Sequence, residues 1–149
     1  MTTKLNVYVA DCQTQQAIPC ADEGIKAGFP SPAQGYMAES IDLNKELVRH
    51  PATTFYARVV GDSMRDAGIG DGDLLVVDKG LEPHDGDVVV AFLDGEFTLK
   101  RIRMDAGSQV LWLVPENEAY TPIRVDASNE FVIWGVVTYS IRRQSRRTK

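Results

Sequence analysis

The chain has 149 residues, 44% of them hydrophobic and 25% charged, with a net charge of −5. Such a length and composition fit one globular domain with a sizeable core and exclude a disordered chain, and the acidic balance argues against a generic nucleic-acid binder while leaving a local basic patch open. No apolar run approaches the ~20 residues of a membrane span, and Met1 to Ala10 lacks the apolar core of a secretory signal, so a cytoplasmic protein is expected.

Residues 1–40 read as a flexible arm, and residues 41–149 as the folded domain. The alternation Leu5-Asn6-Val7-Tyr8-Val9 predicts one short strand. Cys12 and Cys20 form no C-x-x-C pair and read as reduced thiols, ahead of a disulfide or a metal site. Phe29-Pro30-Ser31-Pro32 should be extended, because each proline disfavours a helical residue before it. The arm holds too little apolar material for its own core, and it has no room for a helix-turn-helix. Direct sequence-specific DNA binding is therefore not expected. Ile41-Asp42-Leu43 suggests a short strand, after which Asn44 caps a brief helix, Lys45 to His50, ended by Pro51.

From Phe55 onward the signals are β. Strands are expected at Phe55 to Val60 and Asp73 to Asp78. Asp87 to Phe92 and Glu96 to Arg103 should form a hairpin about Asp94-Gly95, a turn whose two central residues need positive φ. Val110 to Pro115 and Phe131 to Tyr139 complete the set. The runs Val88 to Phe92 and Phe131 to Trp134 are apolar throughout, as for strands buried on both faces. Short strands and glycine-rich turns point to a compact, mainly β, partly barrel-like domain. The basic tail, Arg142 to Lys149, reads first as a solvated end, with an acidic protein or a nucleic acid as the other reading.

Two spots on these strands carry chemistry. Ser63 sits just past the break that Gly61 makes after the strand ending at Val60. A serine hydroxyl is a poor nucleophile until a base takes its proton. The chain has only two histidines, His50 before a proline and His84 in a turn, and neither stands on a strand that would hold it rigidly. Lysine serves as the base if it is neutral. Its pKa of ~10.4 in water leaves about one in a few thousand neutral at pH 7, and burial lowers that value. A drop of about 3 units costs the charged form about 4 kcal/mol and yields a useful base. Lys100 has the setting for this. By the two-residue period it shares a face with Thr98 and Ile102, which would orient and dry the amine. Backbone N–H groups at Ser63 and a neighbour are the candidate oxyanion donors.

Each residue also has an ordinary reading: Ser63 as a turn serine, Lys100 as a hairpin lysine. Asp66, Asp71, Asp73 and Asp78 form an acidic group. Their spacing does not follow the calcium-loop order, and turn chemistry explains them better, so no metal or cofactor is expected.

Taken together the motifs change this balance. Gly61-Asp62-Ser63-Met64, then Gly70-Asp71-Gly72-Asp73-Leu74-Leu75-Val76-Val77-Asp78, Gly86-Asp87-Val88-Val89-Val90 and Gly95-Glu96-Phe97-Thr98-Leu99-Lys100-Arg101 resemble the LexA/UmuD family of self-cleaving serine peptidases. Gly28-Phe29-Pro30-Ser31-Pro32 and Ile41-Asp42-Leu43-Asn44 are similar to its UmuD branch. The resemblance covers about Gly24 to Tyr139.

It implies the family's signal-peptidase-like β domain, with Ser63 as nucleophile and Lys100 as general base. Gly61, Asp62, Met64 and Thr98 are then supporting residues, and the cut falls between Ala27 and Gly28. It also implies induction by DNA damage (the SOS response), binding to the RecA–single-stranded DNA filament, and loss of the arm. A homodimer would then join an error-prone, UmuC-like translesion DNA polymerase catalytic subunit. Thirty-six positions separate Ala27 from Ser63; at ~3.3 Å per extended residue, distance forbids neither cutting within one chain nor across a dimer. The competing function is a non-enzymatic dimeric polymerase-accessory module whose serine is vestigial. A signal peptidase would need a membrane anchor and a repressor a DNA-reading domain, and neither is expected here.

Overall fold

Asp94 and Gly95 both adopt positive φ, 47° and 92°, as a two-residue hairpin turn requires. The turn folds β6 (Val88–Leu93) onto β7 (Glu96–Met104), with Val88 opposite Arg101 and Leu93 opposite Glu96. The computed structural model describes residues 4–20 and 39–147. The expected extended segment Phe29–Pro32 and the bond between Ala27 and Gly28 lie outside the described residues.

Six more strands extend this hairpin: β1 (Lys4–Val9), β4 (Thr54–Val60), β5 (Leu74–Asp78), β8 (Leu111–Val114), β9 (Ile123–Val125) and β10 (Phe131–Ile141). They lie in the order β1-β4-β5-β10-β6-β7-β8-β9, every neighbouring pair antiparallel. The sheet curls until β1 comes alongside β7. This is the expected mainly β, partly barrel-like domain.

A separate two-stranded ladder joins β2 (Ala17–Cys20) to β3 (Glu39–Asp42). The helix α1 spans Leu43–Leu47, earlier than Lys45 to His50, and its cap is Asp42, whose carboxylate accepts the Asn44 N–H at 3.1 Å. Asn44 is not the cap: its side-chain amide donates to the Thr14 carbonyl at 2.7 Å. A two-residue offset at a short helix follows from Asp42 being the equally good, earlier capper.

Alternation along the strands divides the core in two. Phe55, Ala57, Val59, Met64, Leu75, Val77, Val90 and Leu99 form one apolar cluster, while Val89, Ala91, Ile102, Leu113, Val125 and Val136 form another. Successive residues Val89, Val90 and Ala91 thus feed opposite sides, as a strand buried on both faces must. The expectation of two-sided burial fails for Phe131 to Trp134. Val132 is 53% exposed, because β10 is flanked by strands on both edges while its outer face there is open. Trp134 instead packs edge-on against Phe97 at 4.7 Å and Phe55 at 5.9 Å between ring centroids, with Lys79 Nζ 4.8 Å above it.

Candidate active site

The loop after β4 is built to turn sharply and then sink. Gly61 takes φ 108°, a conformation that side chains disfavour, and its N–H donates to Asp71 Oδ1 at 2.8 Å. Met64 then inserts into the first apolar cluster and is 1% exposed. That anchor drags its neighbour down with it, leaving Ser63 also buried. A short 3₁₀ turn, Arg65–Ala67, leads away and ends at Gly68 in the left-handed region.

Lys100 reaches this serine from β7. Its Nζ donates to Ser63 Oγ at 3.3 Å, to Thr98 Oγ1 at 2.9 Å and to the Leu99 carbonyl at 3.0 Å. Thr98 and Lys100 stand on one face of the strand, as the two-residue period requires. Their cross-strand partners on β6 are Ala91 and Val89, both fully buried, and Ile102 is buried beside them. Lys100 is 3% exposed, and the three described partners of its amine are all uncharged. Burial therefore pushes its pKa down from the usual 10.5 to about 8. At pH 7 roughly one amine in ten is then neutral, against one in a few thousand in water.

A second loop, after β8, clamps the serine turn from outside. The Glu116 N–H donates to the Ser63 carbonyl at 2.8 Å, and the Asp66 N–H returns to the Glu116 carbonyl at 2.7 Å. Asn117, itself 4% exposed, donates through Nδ2 to the Asp62 carbonyl at 2.9 Å. Tyr120 Oη donates to the Asp62 carboxylate at 2.6 Å. That bond is the main reason the Tyr120 hydroxyl titrates above its ordinary range. Arg101, next to the lysine, binds Glu116 Oε1 at 2.5 Å and the Gly86 carbonyl at 2.6 Å. The strand of the lysine and the loop of the serine are thus joined a second time, through Arg101 and Glu116. Sequence reasoning missed Glu116, Asn117 and Tyr120. The one local signal is Asn117 two residues before Ala119, whose N–H it accepts at 3.0 Å, an Asx turn.

The remaining titratable groups have other work. His50 Nδ1 lies 2.6 Å from Asp78 Oδ2, and Asp78 also accepts from Thr53 and the Gly80 N–H. Those hydrogen bonds hold the Asp78 carboxyl below its ordinary range against the opposing effect of burial. His84 sits in an exposed turn, its N–H bound to Asp87. Asp73 accepts from the Gly70 N–H and from Arg142, the first residue of the basic tail. Asp71 and Asp73 are turn residues, as their glycine neighbours suggest. Among the described residues no group of His, Cys, Asp and Glu is arranged to hold a metal. None of the described helices is long and apolar enough to cross a membrane.

Residues 19–138 match a family profile described as peptidase S24-like. The chain belongs to that family. Among its relatives, the protein SamA of Salmonella typhimurium is 44% identical over 129 residues, covering 87% of this chain and 88% of SamA. MucA of Escherichia coli is 45% identical over 126 residues, 84% of each chain. LexA repressor 1 of Pseudomonas syringae pv. tomato is 42% identical over 120 residues, 80% of this chain and 58% of the repressor. The peptidase S24-like match runs from β2 into β10 and includes both Ser63 and Lys100. It accords with the LexA/UmuD resemblance carried by the sequence motifs.

Proposed function

We propose that this chain is a self-processing serine peptidase of the DNA-damage response, acting through a Ser63/Lys100 dyad. One observation carries the reading: a buried amine, its pKa lowered to about 8, within 3.3 Å of a buried serine hydroxyl. Neutral Lys100 accepts the proton of Ser63 Oγ as that oxygen attacks the carbonyl carbon of Ala27. Backbone N–H groups of the serine turn stabilise the oxyanion. The resulting ammonium gives its proton to the departing Gly28 nitrogen, and the Ala27 ester on Ser63 remains. Lys100 then deprotonates a water that hydrolyses this ester and regenerates the serine.

In this reading residues 1–40 form the segment that is cut and residues 41–149 the peptidase domain. The RecA–single-stranded DNA filament favours the cut-ready pose, shifting a balance the chain already has. The shortened chain, as a homodimer in the cytoplasm, joins a UmuC-like translesion polymerase. The similarity to MucA and SamA over most of both chains supports this branch over a repressor role.

The test is incubation of the pure chain at alkaline pH, with and without activated RecA filament, followed by intact mass. A fragment beginning at Gly28 is expected from the parent and from neither Ser63→Ala nor Lys100→Ala. No fragment under any condition would leave the polymerase-accessory module as the reading. A fragment from Lys100→Ala would remove the lysine from the mechanism.

A further inference from the structure

Two strands on the leader side of the proposed cut are paired with strands on its other side. β1 runs antiparallel to β4 in six residue pairs, Lys4 opposite Val60 through Val9 opposite Phe55. β2 pairs with β3 over four, Ala17 opposite Asp42 through Cys20 opposite Glu39. Leu5 adds a side-chain anchor, partly buried against the first apolar cluster, and the Thr14 carbonyl accepts from Asn44 at 2.7 Å. Any peptide bond broken between residues 20 and 39 leaves all of these contacts intact.

We infer that the leader is not released by cleavage: its strands β1 and β2 stay paired to the body as part of a second, non-covalent chain. The interaction surface is the backbone edge of β4 together with the edge of β3, and its partner is the chain's own excised segment. The physical reason is the state of the edge without it. Departure of β1 would leave a row of unpaired backbone donors and acceptors along β4 and would strip the cover that Leu5 gives the core. Edge pairing of this kind is how separate extended peptides bind sheets in general, with main-chain bonds for affinity and alternate side chains for register. Cutting and unmasking are then two events. The first is chemical, and the second waits for something that competes for the β4 edge. The inference rests on the reading above that the chain is cut in this connection.

The test uses the full chain with Ser63→Ala and a foreign protease sequence placed within residues 21–38, folded first and cut afterwards. Denaturing mass spectrometry establishes that the cut is complete. Native mass spectrometry and size exclusion then ask whether the pieces part. The expected result is a single complex carrying both pieces, with faster release for Leu5→Asp and none for Val9→Asp, a residue 90% exposed. A completely cut sample whose leader elutes alone as a small peptide overturns the inference. Failure of the unaltered chain to cut itself at alkaline pH overturns the peptidase reading and has no bearing on this result.

Discussion

Thr98 Oγ1 lies 2.9 Å from Lys100 Nζ, nearer than the 3.3 Å between that nitrogen and Ser63 Oγ. The threonine thus sets the direction of the amine, and the serine meets an amine already aimed. Thr98→Val keeps the shape and removes the acceptor. Self-cleavage should slow about 10-fold to 100-fold, part of the roughly 100-fold to 10,000-fold that a positioned base contributes, whereas Thr98→Ser should stay near the parent. The rate of fragment appearance by mass spectrometry decides it; a valine variant within a factor of two of the parent would refute the positioning role.

The cleavage rate should follow the neutral fraction of Lys100. With a pKa of about 8, the rate rises about tenfold per pH unit below that value and levels above it. A flat profile between pH 6 and 8 would exclude lysine as the base.

The same burial has a signature in stability. Below pH 8 folded and unfolded chains both hold the proton, and the folded state bears the cost of a buried cation. From about 8 up to the ordinary 10.5, only the unfolded chain still holds it. Stability conferred at this site therefore rises with pH across that window, by roughly 3 kcal/mol in total. Denaturant midpoints of the parent and of Lys100→Met, measured from pH 7 to 10, should converge or cross in the parent's favour as pH increases. Parallel curves would show that the lysine does not titrate in this range.

Asn117→Ala should injure the serine turn without touching Ser63 Oγ or Lys100 Nζ. It leaves the Asp62 carbonyl and the Ala119 N–H without their side-chain partner. Asp62 and Ala119 are exposed residues and the Asp62 carbonyl keeps the Arg65 N–H, so each lost bond counts at its net value of about 0.5–1.5 kcal/mol. Both thermal stability and cleavage rate should fall. Tyr120→Phe removes a more exposed bond and should cost less than Asn117→Ala. Equal losses in the two variants would mean that the clamp does not run through Asn117.

Gly135 has no room for a methyl group. A Cβ there would stand 2.7 Å from Val77 Cγ1 and 3.1 Å from the Asp78 carbonyl oxygen, at the place where the β10 register slips against β6. Gly135→Ala should destabilise by about 1–3 kcal/mol through overpacking. An unchanged melting temperature would show that the strand shifts freely there.

Local chemistry is what the sequence exposes most clearly. Asp94-Gly95 announces its hairpin because both residues accept positive φ. The alternation around Lys100 places Thr98 beside it because a strand has a fixed period. β9 is illegible because Ile123–Val125 is too short to alternate and exists through its pairing with β8. β2 hides behind Pro19, a residue that argues against a strand unless it lies at an edge. The meeting of Ser63 and Lys100 spans 37 positions, and periodicity says nothing about it; only the order of several motifs, matched as a family pattern, suggests it. Asn117 acts on Asp62 from 55 positions away, and no pattern in either neighbourhood points to the other.

The two tryptophans give the chain an optical gauge of its own. Trp112 is 39% exposed on the outer face of β8, open to a dissolved quencher. Trp134 is wedged between Phe55 of β4 and Phe97 of β7, the strand that carries Lys100. With Trp112 replaced by phenylalanine, the remaining emission comes from a ring touching both the strand that β1 covers and the strand that holds the amine. Its colour and intensity then follow loosening at that junction in real time, with no added dye.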